Sequence, residues 1–170
     1  CHAYVFDGFW EDIGTIKSFY EANINLASLK PDFNFYDERA PIYTRRRDLP
    51  ATKFNYCSLS QTLAADGCVI TNASIQRSII GIRTFIESGA NLDGVVCMGA
   101  DWYETAEQRA ENRKEGVPDI GIGEGTWVRQ AIIDKDTRIG RGCRIGVDRP
   151  LSDGDYPNYY IRDGIVVIPK

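Results

Sequence analysis

Between Ile80 and Ile145 the aliphatic positions recur at steps of six. Ile80, Ile86 and Leu92 form one series, Ile122 and Val128 a second, and after a one-residue slip Ile133, Ile139 and Ile145 form a third. Small residues or a valine stand at the fourth offset: Thr84, Ala90, Val96, Thr126, Thr137 and Cys143. Gly81, Gly123, Gly140 and Gly146 directly follow four of the aliphatics. Neither the 3.6-residue period of a helix nor the two-residue period of an amphipathic strand produces sixes. A six-residue repeat predicts a β-helix solenoid, in which each hexad makes one short strand and a corner, the aliphatic fills a narrow prism and glycine relieves the turn.

Upstream the pattern is different. Residues 3–10, "AYVFDGFW", mix aromatic and β-branched types and predict a strand interrupted at Gly8. Thr15 then caps a helix whose apolar face is Ile16, Phe19, Tyr20, Ile24 and Ala27, with Pro31 as its stop. Residues 30–54 have three prolines and no sustained period, so they predict a linker, and five aromatics predict that it packs against something. Two segments interrupt the sixes: a polar excursion at 101–119, with a short helix, a Glu111–Lys114 pair and closure at Gly116 and Pro118, and a turn-rich loop at 148–160. The chain then ends on "IRDGIVVIPK", which predicts a stop in mid-coil and hence a truncation point at Lys170.

Composition narrows the function classes. With 170 residues, 43% of them apolar, the chain can bury a core, and its longest apolar runs fall short of a bilayer span. A net charge of −4 disfavours a nucleic-acid partner, which usually demands a basic surplus. Five irregularly spaced cysteines without a CxxC pair suggest neither a disulfide framework nor a zinc site, and point to a reducing compartment. The single histidine, His2, lies outside the repeat, which argues against a histidine base on the solenoid of the kind hexapeptide-repeat acyltransferases use.

Three constellations carry candidate chemistry. Glu11 and Asp12 follow Trp10 at a corner before the helix, where a carboxylate either complements the helix dipole or shares Mg²⁺ with substrate phosphates. "APIYTRRRDLPATK", residues 40–53, clusters three arginines whose forks suit bidentate capture of phosphate, although a solvated loop paired with Asp37, Glu38 and Asp48 is the simpler reading. In "AIIDKDTRIGRGCRIG" the cations Lys135, Arg138, Arg141 and Arg144 fall every three residues, avoid the inward positions and so should point outward.

These segments resemble the ADP-glucose pyrophosphorylases (glucose-1-phosphate adenylyltransferases). "FWEDIGTIKSFYEANINLA" looks like the end of that family's catalytic domain, which implies that Asp12 is a metal-binding catalytic carboxylate and that Trp10 and Asp12 border the sugar-phosphate pocket. "PIYTRRRDLPATK" resembles the family's linker, where Arg45 and Arg47 match effector-binding positions, with departures at Arg46 and Ala51. "IIDKDTRIG" and "GIVVIPK" place Lys135 and Lys170 on the lysines that contact an activator phosphate, with Arg162 as a possible contributor, and "MGADWYET" extends the match.

The resemblance implies a mainly β fold: a left-handed β-helix of hexapeptide repeats over 55–170, an effector-binding linker over 30–54, and residues 1–29 as the last strand–helix piece of an α/β nucleotidyltransferase domain. It further implies ATP and glucose 1-phosphate as substrates giving ADP-glucose and diphosphate, Mg²⁺ as cofactor, phosphorylated sugars or glycolytic intermediates as effectors, a homo- or heterotetramer, and glycogen or starch synthesis in the cytoplasm or a plastid. The family's Gly-rich nucleotide loop, first metal aspartate and substrate lysine have no match in these residues, so the chain by itself is expected to be inactive. A structural assembly module and a related sugar-nucleotide pyrophosphorylase using another base remain the alternatives.

Overall fold

The computed structural model describes residues 1–148 and 151–170. Its core is a parallel β-helix of five coils among those residues. One flat face stacks β1 (Lys53–Asn55), β3 (Val69–Thr71), β5 (Phe85–Ile86), β7 (Gly121–Ile122) and β9 (Arg138–Ile139). The other two faces are formed by β2 (Ser58–Ala64), β4 (Ser74–Ile80), β6 (Asn91–Cys97) and β8 (Trp127–Ile133), each of which bends around a corner, joined by β10 (Arg144–Ile145) and β13 (Ile165–Ile168). A hairpin of β11 (Gly154–Tyr156) and β12 (Tyr159–Arg162) pairs antiparallel with β13.

The register stacks like on like. Phe54, Ile70, Ile86, Ile122 and Ile139 form one inward column. Leu59, Ile75, Leu92, Val128 and Ile145 form the second. Ala64, Ile80, Cys97, Ile133 and Ile168 form the third. Ile70, Ile75, Ile86, Leu92 and Val128 are essentially inaccessible, because a triangular prism this narrow is filled by one aliphatic per side. The "slip" between Val128 and Ile133 is a five-residue step that also separates Ile75 from Ile80 and Leu92 from Cys97, always at the same corner. The earlier coils contain a second five-residue step, Ile70 to Ile75, which hides the period upstream of Ile80.

Positive-φ residues turn these corners: Gln61, Arg77, Gly94 and Gln130 occupy equivalent places, and Tyr56, Asn72, Gly89, Gly125 and Gly142 another set. Left-handed backbone at non-glycine residues is uncommon and is held here by the ladders on either side. Gly81 and Gly123 do a different job from the turn relief expected of them. A Cβ on Gly81 would stand 2.5 Å from the carbonyl carbon of Met98 and one on Gly123 would stand 2.7 Å from the amide of Arg141, so they permit close stacking of coils. Gly146, at φ +64°, does relieve a turn. Thr84 and Thr126 point inward and satisfy corner carbonyls, Thr84 Oγ1 donating to Gly81 O at 2.7 Å and Thr126 Oγ1 to Gly140 O at 2.8 Å.

Helix α1 (Ile16–Leu26) begins at Thr15, whose side chain accepts from the amide of Ser18 while the Ser18 side chain accepts from that of Thr15. It ends at Ala27, four residues before Pro31. Its Phe19, Tyr20 and Ile24 cover an outward apolar stripe of Ile79, Val96, Ile132 and Val167, and Tyr20 donates to Gly94 O at 2.7 Å. Val96 is therefore buried beneath α1 and not inside the prism; the inward position is Val95. Residues 3–10 form no strand, contrary to expectation: they are exposed, and no described strand runs beside them to supply the ladder that a strand needs. Among the described residues, no helix is long and apolar enough to cross a membrane.

The excursion contains α2 (Ala106–Glu115), closed by Gly116 in left-handed conformation and carrying the Lys114–Glu111 pair at 2.8 Å. It is pinned to the solenoid by Tyr103, whose hydroxyl donates to Gly67 O at 2.9 Å, and by Arg109, whose guanidinium lies 4.2 Å from the Phe85 ring centroid.

Candidate effector site

The arginine-bearing segment has no regular secondary structure, and local bonds dock it on the corner between β2 and β3. Pro50 O accepts from the Gly67 amide at 2.8 Å, Thr52 Oγ1 donates to Ala65 O, and Thr52 Oγ1 accepts from the Cys68 amide at 3.2 Å. Arg45, Arg46 and Arg47 are exposed there. Arg47 folds back to donate to Arg45 O at 2.8 Å, and the three line a cavity of about 450 Å³ with Thr44, Asp66 and Ile82.

The corner after β8 supplies the next group. Asp136 takes left-handed backbone at φ 57°, and its amide donates to Gly99 O at 3.0 Å. Its carboxylate is only 3% exposed. It accepts from the Asp101 amide at 2.8 Å on Oδ1 and from Lys170 Nζ at 2.8 Å on Oδ2. Lys170 Nζ lies 4.8 Å from the centroid of the Trp102 ring. Lys135 Nζ reaches Asp101 Oδ1 at 2.9 Å. The Lys135 hydrogen bond holds the Asp101 carboxyl below its usual range against partial desolvation, with Lys170 and Arg47 adding positive potential. Lys135 and Lys170, from two separated segments, thus reach two carboxylates that are tied together through the Asp101 amide, and Arg45 and Arg47 line the cavity of the arginine loop.

The other outward cations are engaged elsewhere. Arg138 pairs with Glu104 at 2.6 Å, Arg141 with Glu124 at 3.1 Å and Arg144 with Asp148 at 3.2 Å. Arg162 bonds within its own hairpin, to Gly154 O at 3.0 Å, to Ile161 O at 2.9 Å and to Asp155. Trp102, Asp101 and Asp136, which meet Lys135 and Lys170, escape sequence reasoning. The available signal was that "MGADWYET" leaves the third coil next to the corner bearing "DKD".

At the other end of the chain, Trp10 is 73% exposed. Asp12 Oδ1 accepts from the Gly14 amide at 3.0 Å, and no hydrogen bond to Oδ2 occurs among the described residues. Glu11 lines a hollow of about 430 Å³ with Phe9, Phe33, Phe35 and residues of α1. No group of three or more side chains suited to hold a metal occurs among the described residues. Asp12 fits the role of a single hard-oxygen ligand, the kind Mg²⁺ takes from a protein when substrate phosphates complete its shell.

A family model described as the GLGC left-handed parallel beta-helix domain matches residues 47–170, which is well over half of the chain. The match runs from Arg47 through every coil to Lys170 and gives the hand of the solenoid as left. This chain belongs to the ADP-glucose pyrophosphorylase family, of which that β-helix is the C-terminal domain.

Proposed function

We propose that the chain is the regulatory and architectural part of a glucose-1-phosphate adenylyltransferase, an enzyme that converts ATP and glucose 1-phosphate to ADP-glucose and diphosphate for glycogen or starch synthesis. A phosphorylated effector binds between the arginine loop and the solenoid lysines, held by Arg45, Arg47, Lys135 and Lys170. The observation that carries this reading is that Lys135 and Lys170, from distant segments, reach Asp101 and Asp136, two acids tied together by the bond from the Asp101 amide to Asp136 Oδ1. Guanidinium forks and mobile ammonium groups together suit a phosphate ester better than either alone. An effector of this kind shifts activity only if it binds one conformation of the whole enzyme more tightly than another.

In the same reading Trp10 borders the sugar phosphate and Asp12 is one carboxylate ligand of Mg²⁺, which neutralises charge on the reacting phosphates when bound. The solenoid packs against other subunits of a tetramer. The chain by itself has no turnover, since the nucleotide cradle is not among its residues.

Calorimetric titration with fructose 1,6-bisphosphate, 3-phosphoglycerate and sulfate tests the reading. Saturable binding that Lys135→Ala weakens about tenfold or more, the scale of one lost charge-assisted contact, is the expected result. Heats of dilution alone for all three anions, with the Asp101 carboxylate present and with it neutralised as Asp101→Asn, would make the chain a structural assembly module instead.

A further inference from the structure

We infer that Asp101 is a resident counter-anion: its carboxylate occupies the seat of the ligand phosphate, and a ligand enters by displacing it from Lys135. The inference rests on the effector site proposed above and adds the residue that sets its selectivity.

The two acid–base pairs at this corner are built differently. Asp136 is 3% exposed and holds both the Asp101 amide and Lys170, so removing its cation strands a buried carboxylate. Asp101 is 52% exposed and Lys135 40%, so their pair is screened by water and separates with little penalty. Asp136–Lys170 is thus the fixed post and Asp101–Lys135 the exchangeable contact. The Asp101 amide remains tied to Asp136 Oδ1 whichever way its side chain turns. The carboxylate also lies where Lys170 and Arg47 are felt, although it makes only one ion pair. A phosphate dianion carries more charge and more acceptor oxygens, so it can engage all three cations where Asp101 engages one. A single carboxylate ligand gains no such advantage over the carboxylate already present. The site therefore selects dianionic phosphate esters by requiring them to outcompete its own acid, a repulsive element of specificity.

The test is calorimetry at fixed low salt on this chain as wild type, Asp101→Asn, Asp101→Glu and Lys135→Ala, with fructose 1,6-bisphosphate, inorganic phosphate and acetate as probes. Each variant is first checked for an unchanged circular-dichroism melt, and Asp101→Ser replaces Asp101→Asn if the latter melts early. Asp101→Asn is expected to bind both phosphates about tenfold more tightly and to gain measurable acetate binding, while Asp101→Glu keeps the wild-type order. Unchanged or weaker phosphate binding by Asp101→Asn, with Lys135→Ala still weakening it, overturns the counter-anion and leaves the effector site standing. Phosphate binding that Lys135→Ala does not alter, or its absence in wild type and Asp101→Asn alike, overturns both. Binding by Asp101→Asn alone supports the counter-anion in its strongest form.

Discussion

Glu104 shows how one side chain holds an excursion to a rigid scaffold. Its carboxylate is 3% exposed and accepts from the Ile120 amide at 2.8 Å, from Asn112 Nδ2 at 2.8 Å and from Arg138 at 2.6 Å. Burial by itself would raise its pKa, but the Ile120 amide, Asn112 and Arg138 more than offset that and hold the acid below its ordinary 4.5. A carboxyl depressed in the folded state adds stability that is fully present above the unfolded value, near 4.5, and is lost as pH falls through the folded value. Glu104→Gln should therefore cost about 1–3 kcal/mol at neutral pH. It should also flatten the acid limb below pH 4.5 when the unfolding midpoint is followed against pH. An acid limb identical to wild type would remove Glu104 from this role. The thiols of Cys68 and Cys97 illustrate the opposite environment, for burial inside the prism raises both and keeps them protonated.

Helix α1 owes its position to a feature that the inward columns do not reveal. The face carrying Ile79, Val96, Ile132 and Val167 is apolar on its outer side as well as its inner side, and α1 supplies the missing cover with Phe19, Tyr20 and Ile24. Helical propensity alone does not hold an eleven-residue helix in water, so packing decides its stability. Phe19→Ala should lower stability by about 2 kcal/mol and increase binding of a hydrophobic dye, as the stripe becomes accessible. An unchanged dye signal would mean that α1 is not the cover. The helix carries its apolar period legibly, and Thr15 is legible as its cap. The strand expected over residues 3–10 is not observed, because β-propensity describes fitness for a ladder and cannot supply the neighbouring strand.

Across the whole molecule each coil touches chiefly the coils above and below it, so stability is distributed as in a one-dimensional stack. The first coil has an open side: β2 is largely exposed, whereas β6 in the middle of the stack is almost wholly buried. Amide hydrogen exchange should be slowest at Leu92, Val95 and Val128 and fastest along Ser58–Leu63. Uniform protection from the first coil to the fourth would contradict this stack-like picture. A rigid stack also explains how the basic corner is held: Lys135, Asp136 and Lys170 sit on neighbouring coils, and the arginine loop is fastened to the first corner by Pro50 and Thr52.

The inward columns were determined by the sequence itself. A solenoid repeats the same local environment at every coil, so aliphatic spacing alone reports the prism, and it becomes obscure only where five-residue corners replace six, as between Ile70 and Ile80. The outward cations were legible as outward for the same reason. Their partners were not. Lys135 meets Asp101, and Lys170 meets Asp136, across 34 residues in each case. Those distances depend on how many residues each corner and excursion consumes, so only the assembled coils decide which charges share a site. Periodicity records which way a side chain faces, whereas the stacking of distant segments determines what it faces.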